Sequence, residues 1–135
     1  MSAEENKAVV RRLWEEVWNQ NKLDVCDEIF DTEYAAHEKG FAPVLRAAFP
    51  DIHFEVLQMV AEDDRVVSHY MLTGTHQGDF MGIPATGNRI EVKTIWIHRL
   101  EKGRIVEGQK WGVWDSLAMM QQLGMTLAPA SSSDG

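Results

Sequence analysis

Apolar residues near the start of the chain, Val9, Val10, Leu13, Trp14, Val17 and Trp18, recur three and four positions apart, which places them on one buried stripe of an α-helix. Ser2 followed by Glu5 supplies the reciprocal pair of a capping box at its start. After Asn19-Gln20-Asn21, a second helix carries Leu23, Cys26, Ile29 and Phe30 on one side and Asp24, Asp27, Glu28 and Asp31 mostly on the other. Tyr34 to His37 reads as a short strand, and Phe41 to Phe49 as a short helix ended by Pro50. From Ile52 the period changes to two. Ile52, Phe54, Val56, Gln58 and Val60 alternate against His53, Glu55, Leu57 and Met59, and Asp63-Asp64 turns this strand into a second one, Arg65 to His76. Residues 77–89 form a long loop with three glycines and a proline around Phe80, Met81 and Ile83. Ile90 to Leu100 is again a strand, Glu101-Lys102-Gly103 a tight turn, and Arg104 to Asp115 a further strand, followed by a short helix from Ser116 that Gly124 ends. Helices first and antiparallel strands afterwards predict an α+β domain in which a strongly curved sheet wraps the helices and leaves a conical central pocket.

The last strand is the least ordinary. Its odd positions are Ile105, Glu107, Gln109, Trp111, Val113 and Asp115, and its even positions Val106, Gly108, Lys110, Gly112 and Trp114. Strand geometry puts each set on one face. Polar groups interleaved with tryptophan on the odd face suit the wall of a binding pocket, although Gly108 and Gly112 each mark a place where a bulge can re-aim the side chains that follow. Asp115 then falls at a strand-to-helix switch. Its plain reading is an N-cap that accepts the first free N–H groups of the helix, a role compatible with a functional one.

Length and charge bound what such a pocket can take. The 135 residues fit a single domain, placed at 1–127, with 128–135 as a disordered tail that lacks any apolar pattern. A formal charge of -8, with no cluster of Lys and Arg, argues against nucleic acid and anionic membrane surfaces as partners and for an uncharged or weakly charged small molecule, the expected partner being a small hydrophobic one. No stretch is apolar for the ~18 residues of a membrane span, and the opening Ser2-Ala3-Glu4-Glu5-Asn6 is unlike a secretory leader, which points to the cytoplasm. Cys26 stands alone, so no internal disulfide forms. His37, His53, His69, His76 and His98 lack ligand spacing, so no metal is expected. The glycine-rich loop lacks the Gly-Lys-Ser/Thr ending of a phosphate cradle.

Several separated segments share one likeness. Phe49-Pro50-Asp51, the run from Gly74-Thr75-His76 to Ala85-Thr86-Gly87, Trp114-Asp115 and Gln122-Leu123-Gly124 resemble the SnoaL-like polyketide cyclases, or ester cyclases, of the nuclear-transport-factor-2-like (NTF2-like) superfamily. Val10 to Gln20 is similar to the family's first helix, and the likeness covers about residues 5–125. It implies an NTF2-like cone, a homodimer through the outer face of the sheet, and intramolecular aldol closure of a polyketide ester without metal or organic cofactor. It also implies that Asp115 acts as general acid and base. His37 is placed beside it as the second catalytic candidate, and Trp14, Trp18, His76, Phe80, Met81, Trp96, Gln109 and Trp111 as substrate-binding candidates, with His37, His76, Gln109 and Trp96 able to donate to an enolate oxygen. The bland reading of a lone histidine is a satisfied core or surface residue, and of Trp14 a core residue. The chain departs from the family in running almost directly from His37 through Gly40 into the helix that ends in Phe-Pro-Asp, which alters a pocket wall or entrance. Two other readings stand beside the cyclase: the same pocket used for epoxide hydrolysis, dehydration, isomerisation or hydroxylation, and a non-catalytic binding or dimerisation module.

Overall fold

A computed structural model describes residues 2–108, 111–126 and 128–130. Helix α1, Ala3–Arg12, begins with the capping box: Ser2 Oγ accepts the Glu5 N–H and the Glu5 carboxylate accepts the Ser2 N–H, each at 3.1 Å. The helix then widens into a π-helical stretch, Leu13–Asn19, whose Leu13, Trp14, Val17 and Trp18 are all buried. Asn19 ends it by pairing with the β1 backbone, donating to the Phe54 carbonyl and accepting the Phe54 N–H, both at 2.8 Å. That clamp fixes the neighbouring Trp18 against the sheet.

The expected second helix forms as a 3-10 turn, Leu23–Val25, continued by a short α2, Cys26–Ile29. The next segment differs from expectation. Tyr34 to His37 is not a strand, and no break precedes Phe41. One 17-residue helix, α3, runs Thr32–Ala48, started by the Asp31 carboxylate accepting the Tyr34 N–H at 2.8 Å. Pro43 is carried inside this helix on its exposed side, where water can satisfy the carbonyl its missing N–H leaves free.

The strands are β1 His53–Glu62, β2 Arg65–Thr75, β3 Arg89–Glu101, β4 Arg104–Glu107 and β5 Gly112–Trp114, in antiparallel order β1-β2-β3-β4, with β5 also paired to β3. A short helix α4, Ser116–Gln122, follows. Two registers depart from simple alternation. In β1, Val56 faces Tyr70 and Gln58 faces His69, so Leu57 is an extra, bulged residue. Beyond it the inward set becomes Met59 and Ala61, and Val60, which unbroken alternation would keep on the side of the buried Phe54, is 56% exposed. The predicted single strand from Arg104 to Asp115 breaks at Gly108 into β4 and β5. Parity changes across the break: Ile105 is fully buried, yet in β5 it is the even-numbered Trp114 that shares the inner face with Thr94, while Val113 is 70% exposed. The odd positions of β5 are therefore not a pocket wall. Gly112 permits this arrangement by space, since a Cβ there would stand 2.1 Å from the Trp96 ring.

The fold is the NTF2-like α+β cone, its concave sheet face covered by α1, the π-helical stretch and α3. Among the described residues no helix is long and apolar enough to cross a membrane. Ala128 to Ala130 are exposed and belong to no helix or strand; residues 131–135 of the expected tail lie outside the described residues.

Candidate functional site: an apolar chamber with one buried carboxyl

Between the helices and the concave face lies a chamber of about 360 Å³. Its helical wall comes from Leu13, Trp14 and Trp18 on the π-helical stretch and from Tyr34, His37, Glu38, Phe41 and Leu45 on α3. These α3 positions are spaced as one face of a helix, which explains why a single element delivers them together. Phe54, Tyr70, Leu72, Thr94, Trp96 and His98 form the floor, and Phe80, Trp114 and Met119 the remaining edge. Thr94, Trp96 and His98 alternate along β3, so strand geometry aims them the same way.

The wall is tightly built. Trp14 stacks on Phe54 with ring centres 5.4 Å apart, lies 4.5 Å from Tyr70, and donates its indole N–H to Ser68 Oγ at 3.1 Å. Trp18 lies 5.0 Å from Phe54 and donates to Glu38 Oε1 at 3.1 Å. Glu38 is only 9% exposed, and burial pushes its carboxyl up to about 7, the Trp18 bond pulling weakly the other way. Burial also raises the Tyr34 and Tyr70 hydroxyls above their ordinary range, with Glu38 adding to both, so both stay neutral donors. His98, fully enclosed, is pushed down to about 3 by desolvation and is a neutral imidazole. The Trp96 indole N–H and Thr94 Oγ1 lie close enough to the Tyr34 and Tyr70 hydroxyls to favour their ionised forms, yet neither has a partner in hydrogen-bonding geometry.

Of the residues expected from sequence, Trp14, Trp18, His37, Phe80 and Trp96 meet around this chamber, His37 at its exposed mouth beside Phe41. The others lie elsewhere. His76 is buried against Phe49, its Nδ1 accepting the Thr86 N–H at 3.2 Å, and it pins the ends of the long loop together. Met81 is 72% exposed on that loop. Trp111 lines a separate outer depression with Asp31, Glu33 and Glu107, and the Arg65 guanidinium sits 5.0 Å from its ring centre. Gln109 lies outside the described residues. Asp115 is an exposed N-cap of α4, accepting the Ala118 N–H at 3.0 Å, and is not part of the chamber lining.

Sequence reasoning missed Glu38, Tyr34, Tyr70 and His98. Reading Tyr34 to His37 as a strand hid the helical spacing of Tyr34, Glu38, Phe41 and Leu45, the one signal that would have exposed the α3 face. Cys26 is buried, and burial followed by the nearby Glu38 raises its thiol to about 11, which leaves it unreactive. Among the described residues no group of three or more His, Cys, Asp or Glu side chains is placed to hold a metal ion.

The family model for SnoaL-like polyketide cyclases matches residues 8–123. The chain belongs to this family. It is 30% identical over 131 residues to the aklanonic acid methyl ester cyclase DnrD of Streptomyces peucetius, covering 86% of this chain and 88% of that one. A solved structure of a candidate polyketide cyclase from Acidithiobacillus ferrooxidans superposes with a TM-score of 0.77 at 26% identity, covering 92% of this chain and 98% of the other. AclR from Streptomyces galilaeus, described as a candidate hydroxylase, gives 0.81 at 28% identity, covering 95% and 87%.

Proposed function

We propose that the chain is an enzyme that closes a small, apolar, polyketide-like ester by intramolecular aldol chemistry inside the chamber. The observation that supports this is the chamber itself: an open, mainly apolar space with aromatic walls, whose polar lining is the Tyr34 and Tyr70 hydroxyls, Thr94, the Trp96 indole, two histidines and the Glu38 carboxyl. Aldol closure needs a base for a C–H flanked by carbonyls, donors for the developing enolate oxygen, and walls that fold the chain onto itself. None of these requirements calls for a metal or organic cofactor. The family pattern offers Asp115 as the base. It stands one residue beyond Trp114 of the chamber edge, so closure driven by Asp115 requires the corner between β5 and α4 to turn inward once substrate is bound. The likeness to AclR favours a second reading, in which the same chamber holds a substrate for hydroxylation, an oxidation that takes its oxygen from an external oxidant such as dioxygen, and an unfilled cone speaks against a purely structural module.

Aklanonic acid methyl ester, the compound named for DnrD, is the direct probe. Closure conserves mass, so the expected result is a product of unchanged mass and altered chromatographic retention, accompanied by quenching of tryptophan emission from Trp14, Trp18 and Trp96. Neither turnover nor quenching with this ester or a shorter aryl polyketide ester would end the reading. The cone also leaves Ile95 and Val113, paired across β3 and β5, 43% and 70% exposed on its outer face. We expect a two-fold homodimer through this face. Light scattering at micromolar protein should report twice the chain mass, and Val113→Glu should halve it; a wild-type monomer removes the assembly.

A further inference from the structure

Glu38 occupies a position that a structural role does not explain. As an acceptor for the Trp18 indole, a glutamine would serve equally, and its neutral amide would carry far less desolvation cost than a carboxylate. The chain instead places an ionisable group in the chamber wall, nine-tenths buried, where no Lys or Arg among the described residues offsets it. The groups around it leave it uncompensated. From its own helix Tyr34 is a neutral hydroxyl; from α2 Cys26 is a neutral thiol; from β2 Tyr70 is neutral; and His98, on the β3 wall, is a neutral imidazole. Lys39 turns away to Asp27 at 2.6 Å, and Arg46 donates to the Trp18 carbonyl. Two unpaired polar groups, the Trp96 N–H and Thr94 Oγ1, lie in the same space. Buried polar atoms of this kind, set near the Tyr34 and Tyr70 hydroxyls, are satisfied by water or by the polar atoms of a ligand.

We infer that Glu38 is the catalytic base and acid of the chamber, acting on an enolisable carbonyl compound from inside the wall and not from the corner that Asp115 caps. This rests on the cyclase-type reading above. The Glu38 carboxylate takes the proton of a C–H next to a carbonyl, and the C–H electron pair becomes the enolate, whose oxygen the Tyr34, Tyr70 or Trp96 donors can reach. The enolate carbon attacks the second carbonyl carbon, forming the new C–C bond while the C=O π pair moves onto oxygen. That oxygen takes the proton back from the Glu38 carboxyl, giving the hydroxyl and restoring the carboxylate. A carboxyl held near neutrality by its burial is half ionised at neutral pH, which suits both halves of the cycle.

The test uses 2-tetralone, a bicyclic ketone whose benzylic C–H lies between ring and carbonyl and exchanges slowly, followed by NMR as that hydrogen is replaced by deuterium from the solvent. Wild-type protein should accelerate the exchange, with a rate that rises through neutrality and then levels. Glu38→Gln keeps the size and the acceptor for Trp18 and should lose about a hundredfold or more of the acceleration. Glu38→Asp should restore part of it, which keeps the test decisive if the glutamine variant folds poorly. Absence of acceleration by the wild type, wild-type exchange by Glu38→Gln, or loss confined to Asp115→Asn would each overturn the inference. Accelerated exchange with no closure of any polyketide ester would retain Glu38 and remove the cyclase reading. Ester closure by Glu38→Gln at the wild-type rate would do the reverse.

Discussion

Glu38 and Asp115 are both carboxylates on helices that flank the same chamber, and their surroundings ask different things of them. Glu38 sits in the middle of α3 on the face turned inward, with one hydrogen bond, from Trp18, and apolar or neutral neighbours. Asp115 sits at the N-cap of α4 with its carboxylate accepting the Ala118 N–H, in solvent. A helix N-terminus favours a carboxylate as an anion, whereas an apolar wall favours it as an acid and so makes it a stronger base once ionised. Position along the family pattern and position in space thus point to different groups.

The largest effect that can break this contrast is kinetic. With an ester that the wild type closes, Glu38→Gln should lower kcat by a hundredfold to ten-thousandfold, the usual cost of a lost general base, with KM little changed because the side-chain volume is kept. Steady-state rates of the two variants side by side decide the matter: if Asp115→Asn shows the large loss and Glu38→Gln does not, the corner moves inward on binding and the buried carboxyl is only an acceptor for Trp18.

A smaller effect appears in stability. A carboxyl whose folded pKa is raised binds its proton more tightly in the native state than in the unfolded chain, so its contribution is fully present below the unfolded value and is lost as pH rises through about 7. His98 works in the opposite sense: held down at about 3, it leaves the native state short of a proton that the unfolded chain takes up, so its contribution is present above the ordinary histidine value and fades as pH falls toward 3. Glu38→Gln should therefore match the wild type in urea melts below about pH 4.5, gain on it as pH rises toward 7, and exceed it by about 1–3 kcal/mol above neutrality. Equal stability across that range would mean that the Glu38 carboxyl titrates in its ordinary range and that water reaches it freely.

The same contrast shows what was legible in the sequence. The capping box, the β1–β2 hairpin through Asp63-Asp64, the turn at Glu101-Lys102-Gly103 and the helix from Ser116 depend on residues adjacent in the chain, and all are present as expected. The segments that carry the family likeness are largely architectural. The Asp51 carboxylate clasps Thr75 through its N–H at 2.6 Å and its hydroxyl at 2.8 Å, and the Gln122 side chain grips the Glu91 backbone at 2.7 and 3.0 Å. Such residues identify the fold and say little about which group moves a proton. The α3 face was hidden because Tyr34 to His37 reads locally as a strand, which detaches it from the helix at Phe41, while the packing that makes Thr32–Ala48 one helix is a tertiary property. Parity across Gly108 to Trp111 was open for a similar reason, since whether a glycine makes a bulge is decided by what packs on it, here His98 over Gly108 and Trp96 over Gly112.

The smallest effect isolates Asp115 as a cap. Its Oδ1 satisfies one of the free N–H groups that open α4, and removing that acceptor leaves the group to water. Asp115→Ala should destabilise the fold by about 1 kcal/mol, and Asp115→Asn, which keeps an oxygen for the Ala118 N–H, by a fraction of that. Because α4 is held to the sheet by Gln122 and by the buried Met119 and Leu123, the loss should fray its first turn and leave the helix docked. Amide exchange at Ala118 should therefore speed up while that of Glu91, bonded to Gln122, is unchanged. Loss of protection at both sites in Asp115→Ala would mean that the cap holds the whole corner in place. The carboxylate that now stabilises the helix would then also set where Trp114 meets the chamber, and the separation drawn between rim and wall would fail at that point.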